Sequence, residues 1–129
     1  MKKKKVAMRY SKALLLLGET VDQRELYLDE LNRFLLSFRE DPQGRKFLLS
    51  PIFSTRERKK ALGRISDTLG FSRITRNFLQ VLIDNDRLSE IENIVMAYRE
   101  MVDERSGRVR VVIRSASAVS SPFLEKIRT

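Results

Sequence analysis

Apolar residues recur along residues 4–105 at the three- and four-residue spacing that places them on one face of an α-helix. Polar residues and glycines divide this pattern into segments that are each long enough for a helix. The predicted helices begin near Lys4, Thr20, Asp41, Ser54, Ser72 and Leu88. We therefore expect a mostly antiparallel six-helix bundle, in which each helix turns its apolar stripe toward a shared core.

Local end signals support these boundaries. Thr20 and Ser54 are each followed three residues later by Gln or Glu, which is the pattern of a capping box at a helix start. Pro42 suits the first position of the third helix, where a missing amide proton costs nothing. Gly18 and Gly70 follow the first and fourth helices, and glycine readily adopts the left-handed conformation that ends a helix. These helix ends are thus predicted from local sequence alone.

The pattern changes toward the end of the chain. Residues 108–114 alternate apolar and basic side chains, which is the period of a β-strand, and a helix start follows at Pro122. The predicted fold class is therefore all-α: a six-helix bundle over residues 1–105, then a linker, a short β-strand and a partial helix over residues 106–129. Because one strand cannot satisfy its own backbone groups, we interpret this last segment as the incomplete start of a truncated second domain.

Composition excludes several kinds of chemistry. The chain has no cysteine and no histidine, which rules out disulfides, cysteine-type zinc sites and any catalytic triad that needs an imidazole. Its five glycines are scattered singly, so the sequence contains no glycine-rich phosphate loop. Asp84 and Asp86 lie close together, but they fall in a predicted turn, where Asp is favoured for its geometry. We therefore predict no catalytic residue, no metal site and no cofactor, in a protein that is not an enzyme.

The net charge of +9 lies at the two ends of the chain. Residues 1–12 carry +6, residues 13–104 carry −2 and residues 105–129 carry +5. The nearly neutral middle, where the core must lie, argues against a basic nucleic-acid-binding domain. Two alternatives stay open: a small basic helical module that binds nucleic acid, and a peripheral membrane adaptor that uses the basic first helix. No apolar run approaches the ~20 residues that span a bilayer.

The first and fifth predicted helices are more apolar than a one-sided surface helix requires. Met8 and Leu15 flank the main stripe of the first helix, and residues 78–83 are apolar around most of the circumference of the fifth. Such helices lie at the centre of a bundle or are covered by something else. One interpretation is simple burial in the bundle. The other is an apolar groove shared by the two helices, which receives an amphipathic helix of a partner.

Six short motifs occur in the order found in one protein family. They are Arg9-Tyr-Ser-Lys-Ala13, Phe47-Leu-Leu-Ser-Pro51, Arg58-Lys-Lys-Ala-Leu62, Asn77-Phe-Leu79, Asn85-Asp-Arg-Leu88 and Ile113-Arg-Ser-Ala116. With these motifs, nearly the whole chain resembles the delta subunit of F-type ATP synthases, whose mitochondrial relative is the oligomycin-sensitivity-conferring protein. One departure is Asp86, which stands where the family usually has glycine and could alter the turn.

The resemblance implies a non-catalytic stator subunit that links the catalytic head of ATP synthase to its peripheral stalk. It implies that the six-helix domain binds the N-terminal helix of an alpha subunit in a groove between its first and fifth helices. By position, the residues of this groove are Tyr10, Ala13, Leu14, Leu17, Asn77, Phe78, Val81 and Leu82.

The resemblance also bears on the other partners and on location. The peripheral-stalk b subunits would be bound by the mostly missing second domain. The resemblance implies no nucleic-acid partner, and the protein would be associated with the membrane only through the complex. The expected location is the cytoplasm, on the cytoplasmic side of the bacterial inner membrane as part of the ATP synthase.

Overall fold

The computed structural model describes residues 2–106 and 126–128. Over residues 2–106 the chain forms six α-helices, and a 3₁₀ turn at Leu88–Glu90 leads into the sixth. The helices are α1 (Lys2–Leu17), α2 (Val21–Glu40), α3 (Pro42–Leu49), α4 (Thr55–Leu69), α5 (Arg73–Asp84) and α6 (Ile91–Ser106). The predicted all-α bundle of six helices is therefore confirmed.

Both predicted capping boxes are formed. The Thr20 hydroxyl accepts from the Gln23 amide at 3.1 Å, and the Gln23 side chain accepts from the Thr20 amide at 3.3 Å. Ser54 and Glu57 make the same reciprocal pair at the start of α4, at 3.0 and 3.1 Å. These bonds satisfy amide protons that have no partner inside their helices, which is why the local sequence sufficed to place both helix starts.

The start of α5 is capped from a different helix. Ser72 precedes α5, and its backbone amide donates to Glu30 Oε2 of α2 at 2.7 Å. The Ser72 and Thr75 hydroxyls donate to Glu30 Oε1 at 2.7 and 2.6 Å. Glu30 is 2% exposed, so its carboxylate lies in the interior with these donors around it. The carboxylate also faces the positive end of the α5 dipole, which favours its charge. Glu30 therefore fixes the start of α5 against α2.

The ends of α4 and α5 share one backbone motif. Gly70 has a φ of 72°, and the two hydrogen bonds of a Schellman motif close the last turn of α4. After α5, Asp86 has a φ of 59°, while the Arg87 amide donates to the Leu82 carbonyl at 2.7 Å. Asp86 thus adopts the left-handed conformation that suits glycine, and the turn keeps the Schellman geometry without one. An L-residue pays a steric cost in this conformation.

Most of the described core lies between paired helices. α1 packs along α6, α4 packs along α5, and α2 contacts both α6 and α5. The Ser11 hydroxyl joins the first pair, because it lies 2.9 Å from the Ile94 carbonyl of α6 as well as 2.6 Å from the Ala7 carbonyl of α1. Side chains with almost no exposed surface include Leu14, Leu31, Phe34, Leu62, Phe78, Leu79, Leu82, Ile91, Ile94 and Tyr98. Burying such an apolar side chain contributes about 1.5–3 kcal/mol.

One buried hydroxyl ties α6 to the start of α2. Tyr98 has no exposed surface, and its hydroxyl donates to the Arg24 carbonyl at 2.8 Å. Burial raises the pKa of the Tyr98 phenol well above its ordinary value, the neighbouring Tyr27 raises it further, and the Arg24 charge lowers it. At neutral pH Tyr98 is therefore a neutral phenol that donates this hydrogen bond.

The predicted fold class is wrong in one respect, which is the short β-strand. Within residues 2–106 and 126–128 the regular structure is entirely helical, and no strand is formed. The segment 108–114 on which the prediction rested lies outside the described residues. An alternating pattern becomes a stable strand only when other strands pair with it, and the described part of the chain supplies none. Of the predicted partial helix, residues 126–128 are described, and they are helical.

Candidate partner-binding face on α1 and α5

The eight residues expected to line a groove are all buried or half-buried. Leu17 and Asn77 are half-buried, and Val81 and Tyr10 are 3% and 4% exposed. The remaining residues, which have no exposed surface, are Ala13, Leu14, Phe78 and Leu82. Leu14, Phe78 and Leu82 also belong to the continuous apolar core. For these three, the interpretation of simple burial in the bundle describes their environment in this structure.

α1 and α5 meet at one end. The Asn85 side-chain amide, just after α5, donates to the Tyr10 hydroxyl of α1 at 3.0 Å. Otherwise each helix has its main partner elsewhere, α6 for α1 and α4 for α5, and in the described part of the chain the two are not a closely packed pair. Tyr10 combines a buried ring with a polar tip that is hydrogen-bonded, which is how a tyrosine is accommodated at the edge of a core.

The polar side of α5 holds a short helical segment of the same chain, residues 126–128. The Asn77 side-chain amide donates to the Ile127 carbonyl at 3.1 Å, and Arg73 donates to the Arg128 carbonyl at 2.7 Å. The Lys126 ammonium lies 3.8 Å from the Asp84 carboxylate. Because Lys126 meets the end of α5 and Arg128 meets its beginning, the segment runs antiparallel to α5.

Ile127 is the apolar anchor of this segment. It has no exposed surface and belongs to the same core cluster as Phe78 and Val81. Sequence analysis predicted a helix start at Pro122 but not this contact, because helical spacing within one segment does not show which face of the bundle the segment meets. The residues of α5 that hold the segment include Asn77, which had been expected to meet a partner helix. The α5 face therefore accommodates a helical turn with a branched apolar side chain.

A small cavity of about 180 Å³ lies beside the docked segment. It is lined by Lys59, Asn77, Gln80, Val81, Asp84 and Lys126. Asp84 accepts from the Lys59 ammonium at 3.1 Å, so its carboxylate forms an ion pair that joins α5 to α4. Val81 is the one apolar residue of this lining, and the other five side chains are polar or charged.

The carboxylates of the α5 turn have structural roles. Asp84 pairs with lysines, and Asp86 closes a Schellman turn. Among the residues that the structure describes, no group of three or more His, Cys, Asp or Glu side chains is placed to hold a metal ion. Over the same residues, no helix has the length and hydropathy that crossing a membrane requires.

The described residues thus form an all-α bundle with a helical segment of the same chain docked on α5. The comparison with known proteins identifies its family. A sequence model of the ATP synthase delta (OSCP) subunit matches residues 6–129, and the chain belongs to this family. It is accordingly a structural subunit of ATP synthase and not a catalytic one. The family resemblance seen in the sequence motifs is confirmed.

Several bacterial relatives match over nearly the whole chain. ATP synthase subunit delta of Desulfatibacillum aliphaticivorans is 36% identical over 129 residues, which are 100% of this chain and 70% of that protein. The subunit delta of Desulfosudis oleivorans is 34% identical over 99% of this chain and 70% of that protein. That of Rubrobacter xylanophilus is 33% identical over 92% of this chain and 65% of that protein. No solved structure matches the chain significantly.

Proposed function

We propose that this chain acts in the stator of an F-type ATP synthase, where it binds the N-terminal helix of an alpha subunit against α1 and α5. The observation that carries the proposal is the docking of residues 126–128, which places a helical turn and the fully buried Ile127 on α5. A face that holds one helical turn through an apolar anchor and a side-chain amide has the features that a partner helix needs.

The remaining parts of the proposal follow from the family. Residues 1–105 form the unit that binds the alpha subunit, and residues 106–129 begin the unit that meets the peripheral-stalk b subunits. The protein then joins the catalytic head to the stalk, on the cytoplasmic side of the bacterial inner membrane. Contact with the membrane is made only through the complex.

A buried helix contact suits a stator for a physical reason. The affinity of such a contact rests mainly on the apolar area removed from water, at about 25 cal/mol per Å². Screening by salt weakens exposed ion pairs but has little effect on buried apolar area. The net charge of +9 acts mainly on the association rate, by attracting an acidic partner surface.

Leu17 offers the clearest test of the proposed face. It lies on α1 and is half-buried, so a partner helix can reach it while substitutions leave most of the core intact. We expect Leu17→Ala to weaken binding of a synthetic alpha-subunit N-terminal peptide about tenfold, and Leu17→Lys to weaken it further. The measurement is titration calorimetry with the complete chain, at two salt concentrations.

The matched controls are Leu36→Ala and Leu36→Lys. Leu36 lies on α2, beside α6, and is 55% exposed, so the same chemical changes there should leave peptide affinity unchanged. Equal affinity for the wild type and both folded Leu17 variants would remove α1 from the binding site. A steep fall in affinity with added salt would show that charge, not apolar area, holds the peptide.

A further inference from the structure

The docked segment and the proposed partner helix overlap on α5, where Asn77 belongs to both sets of residues. Asn77 uses its side-chain amide on the Ile127 carbonyl, and the Ile127 side chain is enclosed in the core. Protein interiors are close-packed, so the volume filled by Ile127 cannot hold a second apolar anchor at the same time. A partner helix on this face must therefore remove residues 126–128 first.

We propose that residues 126–128 are an internal competitor for the partner helix, so that α5 binds either this segment or the alpha subunit. The inference rests on the proposed function, since it concerns the same face. Its consequence is thermodynamic: the apparent affinity for the partner equals the intrinsic affinity multiplied by the fraction of chains in which the face is free. The segment therefore sets how tightly the subunit holds its partner.

The contacts of the segment show which residue dominates the competition. The pair of Lys126 and Asp84 has side chains 54% and 21% exposed and is 3.8 Å apart, so solvent screens it and it contributes little. Ile127 is fully buried, and apolar burial is the larger contribution. A polar side chain at position 127 should therefore free the α5 face, whereas a change at position 126 should only loosen the segment.

The test measures binding of a synthetic peptide of the alpha subunit's N-terminal helix to three complete chains. We expect Ile127→Ser to bind the peptide about tenfold more tightly than the wild type. This estimate takes the segment to be undocked in about one-tenth of wild-type chains and in all chains of the variant. Met96→Ser is the matched control, because Met96 lies on α6 and is 55% exposed. It should bind like the wild type.

A second variant guards against a folding defect in Ile127→Ser. Lys126→Glu keeps Ile127 but places two negative charges together at Asp84, and it should tighten peptide binding about twofold. Circular dichroism confirms that each variant keeps its helices. In the wild type, the methyl resonances of Ile127 should move to solvent-exposed positions as peptide is added.

The outcomes separate this inference from the proposed function. Tighter binding by both variants, with Ile127 released by peptide, supports the competition. Equal affinity for all chains, with the Ile127 resonances unmoved in the complex, overturns the competition and leaves the α1–α5 face as the binding site. Absence of peptide binding in the wild type and in Ile127→Ser overturns the proposed function, and the competition with it.

Discussion

Glu30 gives the sharpest prediction about the fold, because its carboxylate on α2 accepts three hydrogen bonds from the start of α5. It accepts from the Ser72 amide and hydroxyl and from the Thr75 hydroxyl, at 2.6 to 2.7 Å. Replacing Glu30 by Ala removes these bonds and leaves the Thr75 hydroxyl, which has no exposed surface, beside the Ser72 hydroxyl at 3.4 Å. The perturbation therefore acts first on the start of α5, and Glu30 is not among the residues of the proposed binding face.

The magnitude follows from the kind of bonds lost. Hydrogen bonds to a charged group contribute about 1.5–3 kcal/mol each, and bonds that share one carboxylate add less than their sum. Losing the favourable charge at the helix N-terminus removes up to about 2 kcal/mol more. We expect Glu30→Ala to lower the free energy of unfolding by about 3–4 kcal/mol. Glu30→Gln keeps the shape and an acceptor oxygen, so its expected loss is about half as large.

The assay is urea unfolding followed by circular dichroism, with the stability taken from the midpoint and slope of the transition. Glu25→Ala is the control, because Glu25 lies on the same helix and is exposed, and it should change stability by no more than about 0.5 kcal/mol. A loss below about 1 kcal/mol for Glu30→Ala, with an unchanged slope, would refute the assignment of Glu30 as the cap of α5.

Three further predictions concern single residues of the bundle. Asp86→Gly should raise the free energy of unfolding by about 0.5–1 kcal/mol, because glycine adopts the φ of 59° without the steric cost; no gain in urea unfolding would contradict this. Tyr98→Phe should lower stability by about 1 kcal/mol at pH 7, through the lost bond to the Arg24 carbonyl. Burial raises the pKa of the Tyr98 phenol in the folded state. The stabilisation by its hydroxyl is therefore complete below the unfolded-state pKa of about 10 and is lost as pH rises through the folded-state pKa. The stabilities of the variant and the wild type should accordingly converge above pH 10. Arg58→Ala should lower stability by about 1–3 kcal/mol, because the buried guanidinium donates to the Leu48 and Phe53 carbonyls at 3.3 and 3.2 Å; an unchanged urea midpoint would count against it.

Helix starts differ in how far the sequence determines them. Those of α2 and α4 were predictable because the cap and its partner lie three residues apart in the chain. The start of α5 near Ser72 was also predicted, but its cap was not, because Glu30 and Thr75 are 45 residues apart in sequence and meet only after α2 and α5 pack. In the sequence, Glu30 falls on the apolar stripe of α2, three residues after Tyr27 and four before Phe34, but its position there does not show which donors it meets.

The candidate binding face was likewise only partly predictable from the sequence. Periodicity placed Leu14, Phe78 and Leu82 on apolar stripes, but it could not say that all three are enclosed by the bundle itself. It also gave no sign that the segment carrying Ile127 meets α5, since the period of one segment does not show where that segment packs. The strand prediction failed because alternation describes one segment, whereas a strand depends on a neighbour.

Helix α5 is held to other helices at both of its ends. Glu30 of α2 fixes its first turn, and the bond from Asn85 to the Tyr10 hydroxyl of α1 fixes the turn that follows its last residue. With 12 residues at a rise of about 1.5 Å each, these two points lie about 18 Å apart. A sideways force on a ligand bound along α5 therefore passes to α2 at one end and to α1 at the other, in addition to α4 along its length, which resists rotation of α5 about either end.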